Sequence, residues 1–166
     1  MTDEELLDEI RAELARSVHR LADPYSRDGS YAAAIKCLPV GLRAMAATHH
    51  LDISLTLDDI GWHFLNFGEP EFVKETEEGL RVLGLNDMAG WFAEAAAIVC
   101  PLRTEIDACG DYYECLTKHS HMMRINELTR KAEAGQPKLG GSVIYAAWTA
   151  YARKSPQSVF GSQAID

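Results

Sequence analysis

Apolar side chains recur every three or four residues along most of this chain, a spacing typical of amphipathic helices. The first run predicts a helix over residues 3–22. The apolar positions of this helix are Leu6, Ile10, Leu14, Val18 and Leu21. Thr2 and Glu5 form a capping-box pair at its start, in which each side chain accepts a hydrogen bond from the other residue's backbone N–H. Pro24 ends it, because proline disfavours a helical conformation at the preceding residue.

Further runs of the same spacing predict the other helices, separated by residues that start or stop helices. These helices are expected at residues 39–52, 56–67, 70–83, 87–100, 102–108, 111–134 and 142–153, after a short apolar turn at 31–37. The separating residues are Pro39, Thr56, Gly68, Pro70, Gly84, Asn86, Pro101, Gly110, Asp111, Gly135-Gln136-Pro137 and Gly140-Gly141-Ser142. The sequence therefore predicts an all-α fold, a single-domain bundle of about six to eight helices over residues 1–154, with a frayed tail at 155–166.

Residues 51–57 also fit a second pattern. Leu51, Ile53, Leu55 and Leu57 alternate with polar residues, as they would in a half-exposed β-strand. No other alternating segment is present to pair with them, and a single strand is not stable alone. The helical interpretation is favoured, with Thr56 as the N-cap of the following helix, and the strand is the alternative.

Length and composition are those of one globular domain. The chain has 166 residues, of which 47% are apolar and 25% charged, so disorder over its whole length is not expected. Its start, MTDEELLDEI, has neither the basic nor the apolar region of a signal peptide, and no apolar run approaches a membrane span. The four cysteines form no CxxC pair. We expect a cytoplasmic protein whose thiols are reduced and behave as small apolar side chains.

Charge is distributed unevenly along the chain, whose net charge is −9. Residues 52–94 contain ten acidic and two basic side chains. Residues 29–51 contain no acidic side chain, and their only basic residues are Lys36 and Arg43. An acidic segment of this kind repels nucleic acid and anionic membranes and attracts basic proteins. We therefore expect neither direct nucleic-acid binding nor membrane binding.

A row of carboxylates within the acidic segment is the leading candidate for a partner-binding surface. Glu71, Glu75 and Glu78 are separated by four and three residues, which places them on one face of the predicted helix. Like charges at this spacing repel each other, so the row is either a solvated face or one side of an interface. The candidate partner-binding residues are Asp58, Asp59, Glu69, Glu71, Glu75, Glu78 and Asp87.

Motifs for catalysis or cofactor binding are missing from the sequence. The chain has no His-Glu-x-x-His, Glu-x-x-His or Gly-x-Ser-x-Gly motif and no glycine-rich nucleotide loop. We therefore assign no catalytic residue, metal ligand or cofactor. The alternative function is a metal-dependent helical-bundle hydrolase, with a site built from His49 or His50, His63, and His119 or His121. Neither close pair can chelate by itself, because residues one or two apart do not share a helix face.

Aromatic side chains are interspersed among the acids of the central segment. Most of them are expected in the core, because large rings bury the most apolar area. One or two at the surface would form a docking patch, since aromatic residues anchor protein interfaces. A third hypothesis, an immunity-like interaction module, therefore rests on Trp62, Phe67 and Phe72.

The central segment also contains an ordered series of short motifs. Leu51-Asp52 ends a helix, the turn 58–62 reads DDIGW, and 63–67 is the aromatic helix HFLNF. Residues 76–85 close the next helix on Leu-Gly-Leu, and 89–99 are alanine-rich. In this order the motifs, within residues 39–100, resemble the small helical bacterial proteins related to a DNA-mimic protein, mostly a domain of unknown function. The chain departs from that family at the turn, where Asp-Asp-Ile replaces the expected Asn-Asn-Gly.

The resemblance implies a helical fold and is compatible with a homodimer. It also supplies one precedent, an acidic surface that imitates the phosphate backbone and occupies a DNA-binding protein. Carboxylates spaced along a helix can meet the same Lys and Arg groups that phosphates meet. Our leading hypothesis is therefore a non-enzymatic acidic binding protein that engages a basic partner, such as a DNA-binding protein.

Overall fold

The computed structural model describes residues 1–19, 22–134 and 142–161, and these form a series of α-helices. The first six are α1 (Asp3–Leu14), α2 (Ser30–Lys36), α3 (Val40–Leu57), α4 (His63–Phe67), α5 (Pro70–Val82) and α6 (Asn86–Val99). The others are α7 (Arg103–Cys109), α8 (Tyr112–Lys118), α9 (Met122–Glu133), α10 (Val143–Lys154) and α11 (Gln157–Phe160). A π-helical turn (Ala15–His19) extends α1, and a 3-10 turn (Cys100–Leu102) joins α6 to α7.

Helix α3 lies at the centre of the fold. It packs against α1, α2, α4, α5, α10 and α11, and its most extensive contact is with α5. Consecutive residues of α3 are buried, among them Met45, Ala46 and Ala47, so no side of the helix is left to solvent over this stretch. A helix that is apolar on all sides belongs to the core. Helix α6 packs against α5 and α9.

The all-α prediction is confirmed, and the described residues contain no strand. Residues 51–57, for which a strand was the alternative, continue α3 to Leu57. Thr56 is therefore not an N-cap, because it lies within α3, where its hydroxyl donates to the carbonyl of Asp52 at 2.9 Å. No described helix combines the length and the hydropathy needed to cross a membrane.

Several predicted helix boundaries are confirmed, and others are displaced. Thr2 forms the expected capping box with Glu5, and the side chain of Asp111 caps α8. Gly84 lies just beyond α5 with a φ of 81°, a left-handed conformation that glycine adopts without strain. The single helix expected over residues 111–134 is instead α8 and α9, because Ser120 adopts a φ of 61° between them. Because of breaks of this kind, the structure has shorter helices than the sequence predicts.

Some expectations fall outside the described residues. These are the position of Leu21 in the first apolar run, the stop at Gly135-Gln136-Pro137, the start of the loop before α10, and the end of the C-terminal tail. Within the described part of that tail, residues 157–160 form α11, which packs against α3 with Val159 buried. The segment predicted as a frayed tail is therefore helical over Gln157–Phe160.

Gly79 marks a close approach between α5 and α3. A Cβ atom at this position would lie 3.0 Å from the carbonyl oxygen and 3.2 Å from the Cα of Ala44. These are backbone atoms, which can move only if the helices separate. We expect Gly79→Ala to lower the free energy of unfolding by about 1–3 kcal/mol, measured by urea unfolding.

Gly90 provides the matched control for Gly79. It is exposed within α6, and a Cβ atom there would meet nothing within 4 Å. Gly90→Ala should therefore raise the free energy of unfolding by about 0.5–1 kcal/mol through helix propensity alone. A stabilisation by both substitutions would contradict the close approach at Gly79.

Candidate functional site

The carboxylate row of α5 faces two cations from α2 and α3. Glu75 is only 2% exposed, and its two oxygens lie 2.5 and 2.7 Å from Nε and a terminal nitrogen of Arg43. Arg43 also approaches Glu78 at 3.5 Å. Lys36 Nζ lies 2.7 Å from Glu71 and 3.7 Å from Glu75. The repulsion expected within the row is therefore offset by the only two basic residues of the 29–51 segment.

The three members of this row have different environments. Glu71 and Glu78 are about half exposed, whereas Glu75 is enclosed between α3 and α5. The hydrogen bond from Lys36 holds the pKa of Glu71 below its ordinary value. The hydrogen bond to Glu75 raises the pKa of Arg43. Glu75 is thus a structural ion-pair partner, and only the two outer carboxylates can meet another molecule.

The DDIGW turn is built around a buried carboxylate. Asp59 is 6% exposed, and its Oδ1 accepts hydrogen bonds from the backbone N–H of Trp62 and the hydroxyl of Tyr112, both at 2.8 Å. Burial raises the pKa of Asp59. A Cβ atom at Gly61 would lie 2.2 Å from the Tyr112 hydroxyl oxygen, so only glycine fits beside this bond. The turn is therefore fixed in place by α8.

The remaining candidate acids lie at other points of the fold. Asp58 is half-buried and accepts a 2.5 Å hydrogen bond from the hydroxyl of Tyr113. Glu69 is the N-cap of α5, accepting from the backbone N–H groups of Glu71 and Phe72. Asp87 is exposed in the first turn of α6. The seven candidate residues thus occupy the α5 face, the DDIGW turn and two helix starts.

Other acids of the 52–94 segment also have partners in the fold. Asp52, buried in α3, accepts a hydrogen bond from the hydroxyl of Ser142, and burial raises its pKa. Glu77 pairs with Arg81 within α5 at 2.6 Å. Glu94 forms a two-point pair with Arg124 of α9. Of these three acids, only Glu94 is paired with a cation that is distant in sequence.

The histidines of the alternative hydrolase do not form one site. His63 is fully buried, and burial lowers its pKa to about 3, so it is neutral. Its Nδ1 lies 3.0 Å from Ser54 Oγ, which donates its own proton to the carbonyl of His50. The ring of His50 stacks on Phe67 with the centroids 4.7 Å apart. Within the described residues, no group of possible metal ligands joins these histidines to His119.

The aromatic residues of the third hypothesis are mostly core residues. Phe67 is 3% exposed and Phe72 is 1% exposed, and both contact the ring of His50. Trp62 is partly buried and packs against the same core. An aromatic docking patch made from these three side chains is therefore not present at the surface.

Comparison of the chain with protein-family models, with curated proteins and with solved structures gave no match.

A groove between α1, α3 and α10 has a volume of about 970 Å³. Asp52, Ser142 and Tyr145 line it, and the guanidinium carbon of Arg11 lies 4.9 Å from the centre of the Tyr145 ring. Ser142 donates a hydrogen bond to Asp52, so charged and hydrogen-bonding side chains meet in this groove.

Sequence reasoning missed the partners of the acidic residues. Tyr112 and Tyr113, which bind Asp59 and Asp58, were separated from them by more than fifty positions and carried no motif. The sequence did contain a signal for the pairing of Lys36 and Arg43 with the acidic residues. These two are the only charged residues of residues 29–51, which directly precede the acidic segment. Opposite charges in neighbouring helices often pair, so this contrast could have predicted the pairing with α5.

Proposed function

We propose that this protein is a non-enzymatic acidic binding protein whose partner is a basic protein, such as a DNA-binding protein. The observation that carries the proposal is the set of carboxylates that keep solvent contact within residues 58–87, in a chain of net charge −9. Those among the seven candidate residues are Asp58, Glu69, Glu71, Glu78 and Asp87, and Glu77, which pairs with Arg81, is a further partly exposed acid of this range. Asp59 and Glu75 are excluded from this partner-binding surface because they are buried.

Charge complementarity provides the physical basis of the proposal. A carboxylate accepts the same charge-assisted hydrogen bonds from Lys and Arg that a phosphate oxygen accepts. The net negative charge accelerates encounter with a basic protein and disfavours encounter with nucleic acid. The protein would therefore compete with DNA for a basic surface without binding DNA itself.

The proposal includes a cytoplasmic location and is compatible with a homodimer. All four cysteines, Cys37, Cys100, Cys109 and Cys115, are free thiols. Free thiols are the usual state of cysteine in a reducing compartment. Homodimerisation is suggested only by the resemblance to the DNA-mimic family.

Competition with DNA tests the proposed function. Labelled duplex DNA, bound to each of a panel of purified basic DNA-binding proteins, is titrated with the full chain at two salt concentrations. We expect the chain to release DNA from at least one of them, with an affinity about tenfold or more lower at 200 mM than at 50 mM salt. Failure to release DNA from any protein, or release that is indifferent to salt, would overturn the proposal.

Two charge-reversal variants separate the partner-binding surface from net charge alone. The test variant combines Glu71→Lys, Glu78→Lys and Asp87→Lys, and leaves buried Glu75 intact. The control variant reverses three exposed acids of α1, by Glu4→Lys, Asp8→Lys and Glu9→Lys. Both change the net charge equally, but only the test variant should lose about tenfold or more in affinity. Equal losses would assign binding to overall charge and refute this surface.

A further inference from the structure

A cysteine, a histidine and a glutamate converge where α7 meets α8. Cys115 and His119 are one helical turn apart, which places both on the same side of α8. Gly110, with a φ of 74°, reverses the chain between the two helices and brings Glu105 of α7 alongside them. One ligand atom from each of these three residues lies within 4.8 Å of the other two.

We propose that Glu105, Cys115 and His119 form a zinc-binding site. Zinc is bound by thiolate sulfur, imidazole nitrogen and carboxylate oxygen at about 2.0–2.3 Å, in a tetrahedral arrangement. Ligand atoms of such a tetrahedron are about 3.5 Å apart, whereas Glu105 Oε2 and His119 Nε2 are 2.8 Å apart and other ligand atoms are up to 4.8 Å apart, so zinc binding needs a rearrangement of about 1 Å. Side-chain rotation at the two surface ligands can provide it. A thiolate disfavours calcium and magnesium, which prefer oxygen ligands.

One ligand of the proposed site is buried, and the other two are partly exposed to solvent. Cys115 is only 2% exposed, whereas the side chains of Glu105 and His119 are each 35% exposed. A metal ion can therefore enter from solvent between the carboxylate and the imidazole and reach the sulfur beneath them. The three ligands leave a fourth position for water. The ring of His121, stacked on that of His119 with the centroids 6.3 Å apart, borders the site.

The contacts around Glu105 are those expected of a preoriented ligand. Its Oε2 lies 2.8 Å from His119 Nε2, and its Oε1 lies 2.5 Å from Lys118 Nζ. Zinc would take the place between Oε2 and Nε2, while Lys118 would continue to hold Oε1. An outer hydrogen bond of this kind orients a metal ligand and strengthens binding.

Binding at this site has a defined proton balance. The Cys115 thiol gives up its proton to solvent as the bond from sulfur to zinc forms, and the proton that His119 Nε2 donates to Glu105 Oε2 must leave that nitrogen, to solvent or to Nδ1, before its lone pair can bind zinc. No electron is transferred, because zinc has no redox chemistry in proteins.

Metal titration of the full reduced chain tests the proposal. After removal of bound metal with a chelator, the chain should bind one equivalent of Zn²⁺. Co²⁺ in the same site should give the near-ultraviolet charge-transfer absorption of a cobalt–thiolate bond. We expect Cys115→Ser to abolish that absorption and His119→Ala to weaken zinc binding about a hundredfold or more.

Neighbouring residues supply matched controls. Cys109→Ser changes an exposed thiol of α7 whose sulfur contacts the backbone of Asp111, and it should preserve the cobalt absorption. Because Cys115 is buried, circular dichroism must show that its variant remains helical, and the exposed His119 provides an independent variant. Substoichiometric zinc binding by the wild-type chain, or a cobalt–thiolate absorption that survives Cys115→Ser, would overturn the site.

Discussion

Replacing Arg43 with methionine is expected to lower the free energy of unfolding at pH 7 by about 3 kcal/mol, because it leaves buried Glu75 without its two-point partner. Methionine preserves much of the apolar stem of arginine, so the change removes mainly the charge. Urea unfolding at pH 7 provides the measurement.

Arg124→Met is the matched control for Arg43→Met. Arg124 also forms a two-point pair, with Glu94 at 2.6 and 2.8 Å, but the side chains of this pair are about 40% exposed. Solvent screening limits an exposed pair to about 1 kcal/mol or less. Similar losses from the two substitutions would show that burial of Glu75 does not govern the strength of its ion pair.

Trp148→Ala should have the largest effect among single core substitutions, lowering the free energy of unfolding by about 3–5 kcal/mol. Trp148 of α10 is fully buried, and its indole Nε1 donates to Thr48 Oγ1 of α3 at 2.9 Å. Truncation would leave a cavity between α10 and the central helix and would remove this hydrogen bond. The denaturation midpoint in urea, with the slope checked for constancy, measures the loss.

Two further substitutions define the origin of the Trp148 effect. Trp148→Phe retains most of the ring volume and leaves a smaller cavity. It should therefore lower the free energy of unfolding by less than Trp148→Ala does. Trp91→Ala removes a tryptophan that is only partly buried in α6 and should cost clearly less than Trp148→Ala. If Trp148→Ala were no more destabilising than Trp91→Ala, α10 would not be part of the common core.

The fold class could be predicted because helical spacing is a local property. Leu6, Ile10, Leu14 and Val18 are all buried, as the apolar stripe of the first helix indicates. The strand alternative at 51–57 arose because alternation over a few residues resembles both a strand and a central helix buried on most sides. The division between α8 and α9 was not predictable, since it depends on the left-handed conformation of a serine.

The candidate site was less predictable because its contacts are distant in sequence. The spacing of Glu71, Glu75 and Glu78 correctly placed them on one face of α5. Spacing alone could not show that the middle carboxylate is buried against α3, since this depends on how two helices pack. The cluster at α7 and α8 was missed for a similar reason, because Glu105 reaches Cys115 and His119 only after the chain reverses at Gly110.

The Lys36–Glu71 ion pair has a kinetic consequence for the proposed binding surface. A lysine from a basic partner that takes the Glu71 oxygen held by Lys36 exchanges one cation for another. Each exchange changes the enthalpy little, and a contact made through a single cation is short-lived. Residence time therefore rises steeply with the number of cations that engage together, because each further contact lowers the dissociation rate. Such a surface would discriminate between basic proteins by the density of their positive charges rather than by any single residue.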